Sequence, residues 1–577
     1  MTDPRYSALP ALRDAGLSRG VVCQVARLYE DLLGRPADSG GFTAYAQAIA
    51  GGTSFETLIE EFLAGPEFRA RGVPPPADLA AYAAALRALG QAPCPTPPSA
   101  PVLSPDDPDA YTWWLEAFER PFRDRLRAEA RAGVTRLAVL GGLGRVEAPA
   151  GCVAPDEADW LILLPSACQV ADTLEAEIAR RAADPSVWLL LADEDQIRGD
   201  GTRHTPWFRA EPDAVLAAPH ALLALRAEVA RRIGVAKLRA LLEAGADPLP
   251  DILAMVPEGA VGHIPRVLVH RIDPPVARPP PPGPRRAARL PSAAVLIPTR
   301  NRVDLLAPLI EDLRFRTDYD DLEIVVMDND SDQPDSRAYL DRLADRAPGC
   351  RVVRLPGPFN WAEANNRGAA SCSAEVLVFL NNDMRVLHPD WLAALVTEAC
   401  QPGTGVAGAG LFYPDGTVQH AGMVPRSDGT AHHVMRHAPP DCRDYHDLLY
   451  RRRRVGAVTG ACMAMRRAVL EQAGGLDATR FRVTCSDADL CLRVAERGLD
   501  VIWTPAARLM HLELATRGED LDRESRQRAA AEQAALAARW PEALRCDRCW
   551  SPNLAYTEGP PALACPPRWD TAPGTGR

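Results

Sequence analysis

The stretch VLVFLNND, Val376 to Asp383, runs five consecutive apolar residues into two asparagines and an aspartate. An apolar run of that length, bounded by polar residues, predicts a strand buried on both faces. Similar runs lie upstream. Ala293 to Ile297 ends in Pro298-Thr299-Arg300-Asn301-Arg302, Leu322 to Met327 ends in Asp328-Asn329-Asp330-Ser331-Asp332, and Arg351 to Leu355 makes a further strand. Between the first two, Val303 to Leu313 has helical spacing. Strands alternating with helices predict a parallel α/β sheet, and ligands of such sheets bind at the carboxyl ends of the strands. The polar strand ends are therefore where a site is expected.

The chain has 577 residues, enough for about three to five domains. Apolar residues at 47% and charged residues at 24% suit a soluble globular protein and argue against wholesale disorder. A net charge of -11 argues against a general nucleic-acid binder. No stretch approaches the roughly 18 consecutive apolar residues of a membrane span. The opening MTDPRYSALPALRDAG lacks the apolar region of a secretory signal. The 14 cysteines are scattered, with Cys372, Cys462 and Cys491 inside apolar runs, which reads as reduced thiols in a cytoplasmic protein. Proline-rich stretches at 92–108 and 273–290 read as linkers. They leave blocks 1–91, 109–272 and 291–555, with 556–577 expected to be a flexible tail.

No glycine-rich phosphate loop of either common type is present, and GGLG at Gly141 to Gly144 is a lone turn-type match. Acids at two strand ends without a phosphate cradle suggest that a divalent cation held by a carboxylate neutralises a diphosphate. Ser486-Asp487-Ala488-Asp489 precedes an apolar helical stripe, Leu490, Leu492 and Val494. It thus sits at a helix start, where the macrodipole favours carboxylates. One of these aspartates is a candidate base and the other a structural group of the helix terminus. His511 follows the strand-like Val501-Ile502-Trp503, and Arg517 lies close behind. Arg451 to Arg454 reads as a solvated face able to meet phosphates or an anionic membrane surface. His420, His432, His433 and His437 are neighbours in sequence without a zinc spacing.

From Ser292 to near Asn553, VLIPTRNRVDLL, EIVVMDNDSD, PFNWAEANNRGA, VLVFLNNDMRV, DGTVQHAGMV, AVTGACMAMRR, GGLD, SDADLCLRVAERG and MHLELATRG occur in that order. Together they resemble a family-2 glycosyltransferase of the bacterial O-antigen and rhamnan type. The resemblance implies a GT-A fold with a Rossmann-like, mostly parallel sheet. It also implies a nucleoside-diphosphate sugar donor, a divalent cation (Mn2+ or Mg2+) and inversion at the anomeric carbon. On this resemblance Pro298, Thr299 and Arg302 fall where the nucleoside is held, Asp328 on the acid that contacts base or ribose, and Asn365 and Asn366 on a loop approaching the donor. Asn381-Asn382-Asp383 takes the place of the DxD motif, with Asn381 in place of the first acid. Asn382 and Asp383 then face the donor, and Asp383 with His511 holds the metal. Arg517 could contact phosphate. Asp487 falls on the general base of an inverting transfer, Ser486 replaces the acid before it, and Asp489 is the second candidate.

The implied acceptor is a saccharide or a lipid-linked saccharide in cell-surface polysaccharide synthesis. The implied location is the cytoplasm, with peripheral association at the inner membrane open. The replaced acids at Asn381 and Ser486 favour one alternative, a catalytically weak carbohydrate-binding or scaffold protein of the same fold. Nucleotidyl transfer to a sugar phosphate would want a glycine-rich N-terminal loop.

Two further resemblances concern the other blocks. LYEDLLGRPADSGG and FLAGPEF resemble a small all-α module with the hallmark LYxDxLGRxxDxxG, its core about 20–72. Thr53 or Ser54 is expected to cap a helix ending near Phe62. Asp31, Asp38 and Ser39 read as a turn, short of a calcium site. In the middle block, Ala158 to Leu164 parallels Ala374 to Leu380, so that Ala167 stands where Asp383 does, and His263 to His270 loosely parallels Trp503 to His511. Residues 109–272 therefore read as a degenerate, truncated GT-A-like domain, lacking its nucleotide-binding strands and inactive.

Overall fold

The computed structural model describes residues 53–65, 108–120, 136–141, 152–164, 168–197, 203–208, 222–257, 259–272, 290–346, 348–442, 444–512, 523–556 and 559–564, with isolated positions elsewhere. The chain divides into two compact units. One lies within Met1–Val276 and takes in Ser551–Ala555 and Ala562–Arg577; the other lies within Ala277–Trp550 and takes in Tyr556–Pro561.

In the first unit, helix α1 (Phe55–Ala64) starts at Ser54, whose hydroxyl accepts the Thr57 amide, and buries Phe55, Leu58, Ile59 and Phe62. Ser54 is thus the cap of the expected helix, while Asp31, Asp38 and Ser39 lie outside the described residues. Helix α2 (Pro108–Trp114) is followed by a seven-stranded sheet: β1 (Leu137–Gly141), β2 (Trp160–Leu164), β3 (Cys168–Val170), β4 (Leu189–Ile197), β5 (Arg203–Trp207), β6 (Leu223–Arg226) and β7 (Val261–Arg271). Helices α3 (Leu174–Ala182) and α4 (Ala227–Ile233) belong to the same unit. Strand β2 sends Trp160, Ile162 and Leu164 into one core and Leu161 and Leu163 into the opposite one. Each fully buried leucine or isoleucine contributes about 1.5–3 kcal/mol over an exposed one, and two-sided burial makes such a run a central strand.

The second unit holds β8 (Ala293–Thr299), β9 (Leu322–Asp328), β10 (Cys350–Arg354), β11 (Val376–Leu380), β12 (Met384–Val386), β13 (Thr404–Phe412), β14 (Val418–His420), β15 (Met423–Pro425), β16 (Ala431–His433), β17 (Arg453–Arg454), β18 (Cys462–Arg466) and β19 (Asp500–His511). Its helices are α5 (Val303–Phe315), α6 (Pro334–Arg346), α7 (Trp361–Ala370), α8 (Trp391–Ala399), α9 (Arg467–Ala473), α10 (Ser486–Glu496) and α11 (Arg523–Arg539). The main sheet has the order β10-β9-β8-β11-β18-β13-β19-β12. Its first four strands are parallel, as the βαβ alternation requires, and bring Thr299, Asp328 and Asn381 to one edge. Beyond β11 the sheet is mixed: β18 is antiparallel to both neighbours, β13 and β19 are parallel, and β12 is antiparallel to β19.

The two units repeat one another. The first has the order β1-β2-β6-β4-β7-β3 with β5 on β4; the second has β8-β11-β18-β13-β19-β12 with β14 on β13. Chain order and strand sense agree at every step. Even the bulge recurs: the register skips Pro265 and Arg266 in β7, and Pro505 to Ala507 in β19. What differs is the connection before β2, which spans 142–159, against 300–375 before β11. The shorter connection leaves no room for counterparts of β9, α6, β10 and α7. The pairing also corrects one correspondence. Cys168 opposes Arg271 as Met384 opposes His511, so Arg271, not His270, stands in the place of His511.

The segment expected as a flexible tail is in part built into the first unit. Ala562, Leu563 and Ala564 are buried, and the Trp114 indole donates to the Ala564 carbonyl at 2.7 Å. Asn553 donates to Asp193 at 2.9 Å and to the Pro265 carbonyl at 3.3 Å. Close by in the same sheet, Asp195 is buried among Tyr111 (2.8 Å), Arg203 (2.5 Å) and His270 (2.6 Å). Burial alone would push the Asp195 carboxyl up; Arg203 and His270 outweigh it and hold it below the usual range.

Candidate active site

A cavity of about 420 Å³ opens at the carboxyl end of β11, against the start of α10 and the end of β19. Asn381, Asp383, Asp487 and His511 all line it. Three stretches separate in sequence thus converge on one space: the carboxyl ends of two strands of the sheet, β11 and β19, and the start of α10.

Asp383 is almost fully buried, and its Oδ1 lies 3.2 Å from His511 Nε2. Register explains the meeting: β12 begins at Met384 opposite His511, so the residue before it faces the same point. The other ring nitrogen, His511 Nδ1, donates to Gln419 Oε1 at 2.6 Å. A carboxylate oxygen and an imidazole nitrogen at this separation suit two adjacent ligands of one cation, since bonds of about 2.1 Å at right angles put ligands about 3 Å apart. Among the described residues no cluster of three or more His, Cys, Asp and Glu forms a complete protein cage. Such a pair fits an ion that takes its remaining ligands from phosphates and water.

Asp487 lies in the first turn of α10 and reaches the cavity. Its Oδ2 accepts the Gly460 amide and its Oδ1 the Ala488 amide, both at 2.8 Å. Gly460 can be only glycine here: a Cβ would lie 2.6 Å from the Trp361 ring. Asp489 is placed differently. It is fully buried, outside the cavity, with its carboxylate on Arg493 (2.7 Å), Trp540 (3.0 Å) and Arg539 (3.2 Å). It anchors α10 to α11 and is no candidate for proton transfer, and its side chain does not cap the helix either.

Of the residues expected to hold the donor, Asp383 lines this cavity, while Pro298, Thr299, Arg302, Asp328, Asn365, Asn366 and Asn382 do not. Pro298 is buried within β8. Thr299 Oγ1 accepts from Asn382 at 2.9 Å, so these two residues tie neighbouring strand ends together. Arg302 pairs with Asp304 at 2.8 Å. Its guanidinium is held above its ordinary range first by those hydrogen bonds, with the charge of Asp383 contributing less. Asn301 and Arg302 are both left-handed, a backbone state costing of order 1 kcal/mol or more outside glycine. The Asn301 side chain offsets that cost by accepting the Asp332 and Gln333 amides at 3.0 Å each. Asp328 is buried with its carboxylate on Ser331 (Oγ at 2.5 Å) and Arg354, a strand-end turn in which both oxygens are engaged.

Asn365 and Asn366 lie within helix α7 instead of on a loop. Asn365 donates to the Trp361 carbonyl at 2.9 Å; Asn366 braces the turn after Gly475 by two bonds to Leu476 (2.8 and 2.9 Å). Arg517 lies outside the described residues. Three of the four arginines of the run have partners within the fold: Arg452 pairs with Glu398, Arg453 lies over the Trp503 ring, and Arg454 pairs with Asp500. Of the four histidines, His420 Nδ1 is 3.2 Å from His433 Nδ1, His432 meets Arg426, and His437 stacks on Tyr413.

Several lining residues went unassigned from sequence: Trp361, Gln419, His433, Thr459, Gly460 and Gln533. Trp361, Gln419 and Gly460 lie inside the quoted motifs PFNWAEANNRGA, DGTVQHAGMV and AVTGACMAMRR, which were the available signal.

The mixed α/β sheet is of the GT-A type. Residues 294–474 match the model of glycosyl transferase family 2. The chain is 36% identical over 279 residues to the uncharacterized protein y4gI of Sinorhizobium fredii, covering 48% of this chain and 31% of that protein. It is 31% identical over 459 residues to the O-antigen biosynthesis protein RfbC of Myxococcus xanthus, covering 70% and 34%. It therefore spans about a third of the length of these relatives. Among solved structures it is similar to the mannosyltransferase PcManGT of Pyrobaculum calidifontis in complex with GDP-Man and Mn2+, at 21% identity and a TM-score of 0.33, covering 46% of this chain and 68% of that one.

Proposed function

We propose that the second unit is an inverting glycosyltransferase, moving a sugar from a nucleoside diphosphate to a hydroxyl of a saccharide or lipid-linked saccharide in surface-polysaccharide synthesis. The observation that carries this is the convergence of Asp487 with the Asp383–His511 pair on one cavity. The likeness to the O-antigen protein supports the polysaccharide setting.

In this reading Asp383 and His511 hold a divalent cation, which stabilises the leaving diphosphate when bound. Asp487 accepts the proton of the acceptor hydroxyl as its oxygen bonds to the anomeric carbon and the bond from that carbon to the diphosphate oxygen breaks. The Gly460 and Ala488 amides fix the orientation of that carboxylate. Asn381, oriented by the Trp361 indole at 3.4 Å, contributes a neutral oxygen and amide to the wall. The first unit is non-catalytic in this reading, since Ala167 and Arg271 replace the two metal ligands. Among the described residues no helix is long and apolar enough to cross a membrane, and any membrane association would be peripheral.

The test is slow hydrolysis of a panel of nucleoside-diphosphate sugars with Mn2+, read as nucleoside diphosphate released by the full chain. Release that needs the metal and is lost in Asp383→Ala supports the reading. Tight sugar binding without release from any donor favours the scaffold alternative.

A further inference from the structure

We propose that Gln419 is a positioning residue of the cation site. It holds the His511 proton on Nδ1, so that Nε2 is the nitrogen presented beside Asp383. This deepens the cation reading above and rests on it.

An amide oxygen only accepts hydrogen bonds, so a contact of 2.6 Å from Gln419 Oε1 to His511 Nδ1 requires the proton on Nδ1. The bond made by one ring nitrogen decides which nitrogen is left to a metal. His511 Nε2 is the atom 3.2 Å from Asp383. A tautomer with its proton on Nε2 would turn an N–H toward the ion.

Gln419 is itself held in place. It is 3% exposed and sits on β14, whose His420 is in register with Leu411 of β13. Its carbonyl accepts from His433 Nδ1 at 3.2 Å. Its side chain therefore reaches His511 from a strand of the sheet that carries His511, and not from a loop.

The repeat supplies an independent observation. In the first unit Trp207 opposes Glu194 as His420 opposes Leu411, so Pro206 stands in the place of Gln419. Arg271 stands for His511, and in sequence Ala167, outside the described residues, precedes Cys168 as Asp383 precedes Met384. A proline offers no side-chain acceptor. All three members of the Asp383–His511–Gln419 chain are thus replaced together, while the strands carrying them persist. A glutamine serving only the packing of β14 would have no reason to be replaced along with the two ligands.

The experiment is Mn2+ titration of the full chain, with free aquo-Mn2+ read by electron paramagnetic resonance, alone and with UDP. It is paired with 15N spectra of labelled histidines, the His511 signal being assigned by its loss in His511→Asn. Loss of an outer-shell partner typically weakens metal binding about 10–100-fold, and that loss is expected for Gln419→Leu. Gln419→Glu keeps an acceptor oxygen and should restore binding to the wild-type level. Wild-type His511 should show the Nδ1-protonated form. An Nε2-protonated His511 in the wild type overturns the proposal however the variants fold. So does a Gln419→Leu chain that binds Mn2+ as the wild type does. If neither the wild type nor Asp383→Asn binds Mn2+, the cation reading itself fails and this inference fails with it.

Discussion

Replacing Asp487 by asparagine separates proton transfer from folding, and the site geometry sets both magnitudes. Both carboxylate oxygens accept a backbone amide at 2.8 Å, from Gly460 and Ala488. An asparagine keeps one acceptor and turns an NH2 toward the other amide. One donor is then left facing a donor, at about 1–3 kcal/mol. In a domain of 150–250 residues each kcal/mol lowers Tm by about 2–4 °C, so the variant should melt several degrees early and still be folded at 25 °C. The chemical loss is larger. A general base contributes about 10²–10⁴-fold, or about 3–5 kcal/mol of barrier. The assay is metal-dependent donor hydrolysis, with water in the place of the acceptor hydroxyl, alongside calorimetric donor affinity. Turnover should fall by that factor with donor affinity unchanged. A turnover within about tenfold of wild type, below the range expected of a base, would refute the assignment. Asp489→Asn should instead act through stability, at about 3–5 kcal/mol, because it breaks a buried cluster with Arg493 and Arg539.

Three further outcomes follow from other parts of the molecule. The full chain should bind Mn2+ with nucleotide at one site, and Asp383→Asn should remove it; a second site surviving in Asp383→Asn would show that the first unit binds donor. Asn553→Ala removes a donor from the buried Asp193 carboxylate and should cost the first unit about 1–3 kcal/mol. Limited proteolysis should show this, with donor affinity unaltered. Burial first, then the charges near it, hold His420 neutral well below its free value of 6.5. The unfolded chain takes up a proton below that value and the native chain does not. This part of the stability is therefore full above 6.5 and lost as pH falls, by up to about 1.4 kcal/mol per pH unit; urea melts of His420→Gln should show a flatter slope.

The parallel half of the sheet was legible because its strands are nearly unbroken apolar runs, as in Ala293–Thr299 and Val376–Leu380. Strand β13 was not, since TGVAGAGLF has the composition of a loop. Its glycines mark close packing: a Cβ at Gly405 would lie 2.2 Å from Val494, and one at Gly408 2.4 Å from Val458. At the site, order along the chain singled out Asp383, Asp487 and His511, whose strand and helix ends meet at one cavity. It left Asp489 as a second candidate beside Asp487, because two carboxylates two apart on a helix start look alike in sequence, and only the burial of one against α11 separates them. It could not reach Gln419, since that contact depends on how β14 pairs with β13.

The return of Ser551–Ala555 and Ala562–Ala564 to the first unit imposes an order on synthesis. The ribosome releases Met1–Val276 early, but the strand ends around Asp193 and Pro265 wait for Asn553 until Ala277–Trp550 has emerged. At about 5–20 residues per second that wait is on the order of tens of seconds. During it the first unit lacks these segments, and a chain broken within Ala277–Trp550 never supplies them. Completion of the N-terminal unit thus reports that the second unit has been synthesised as far as Asn553.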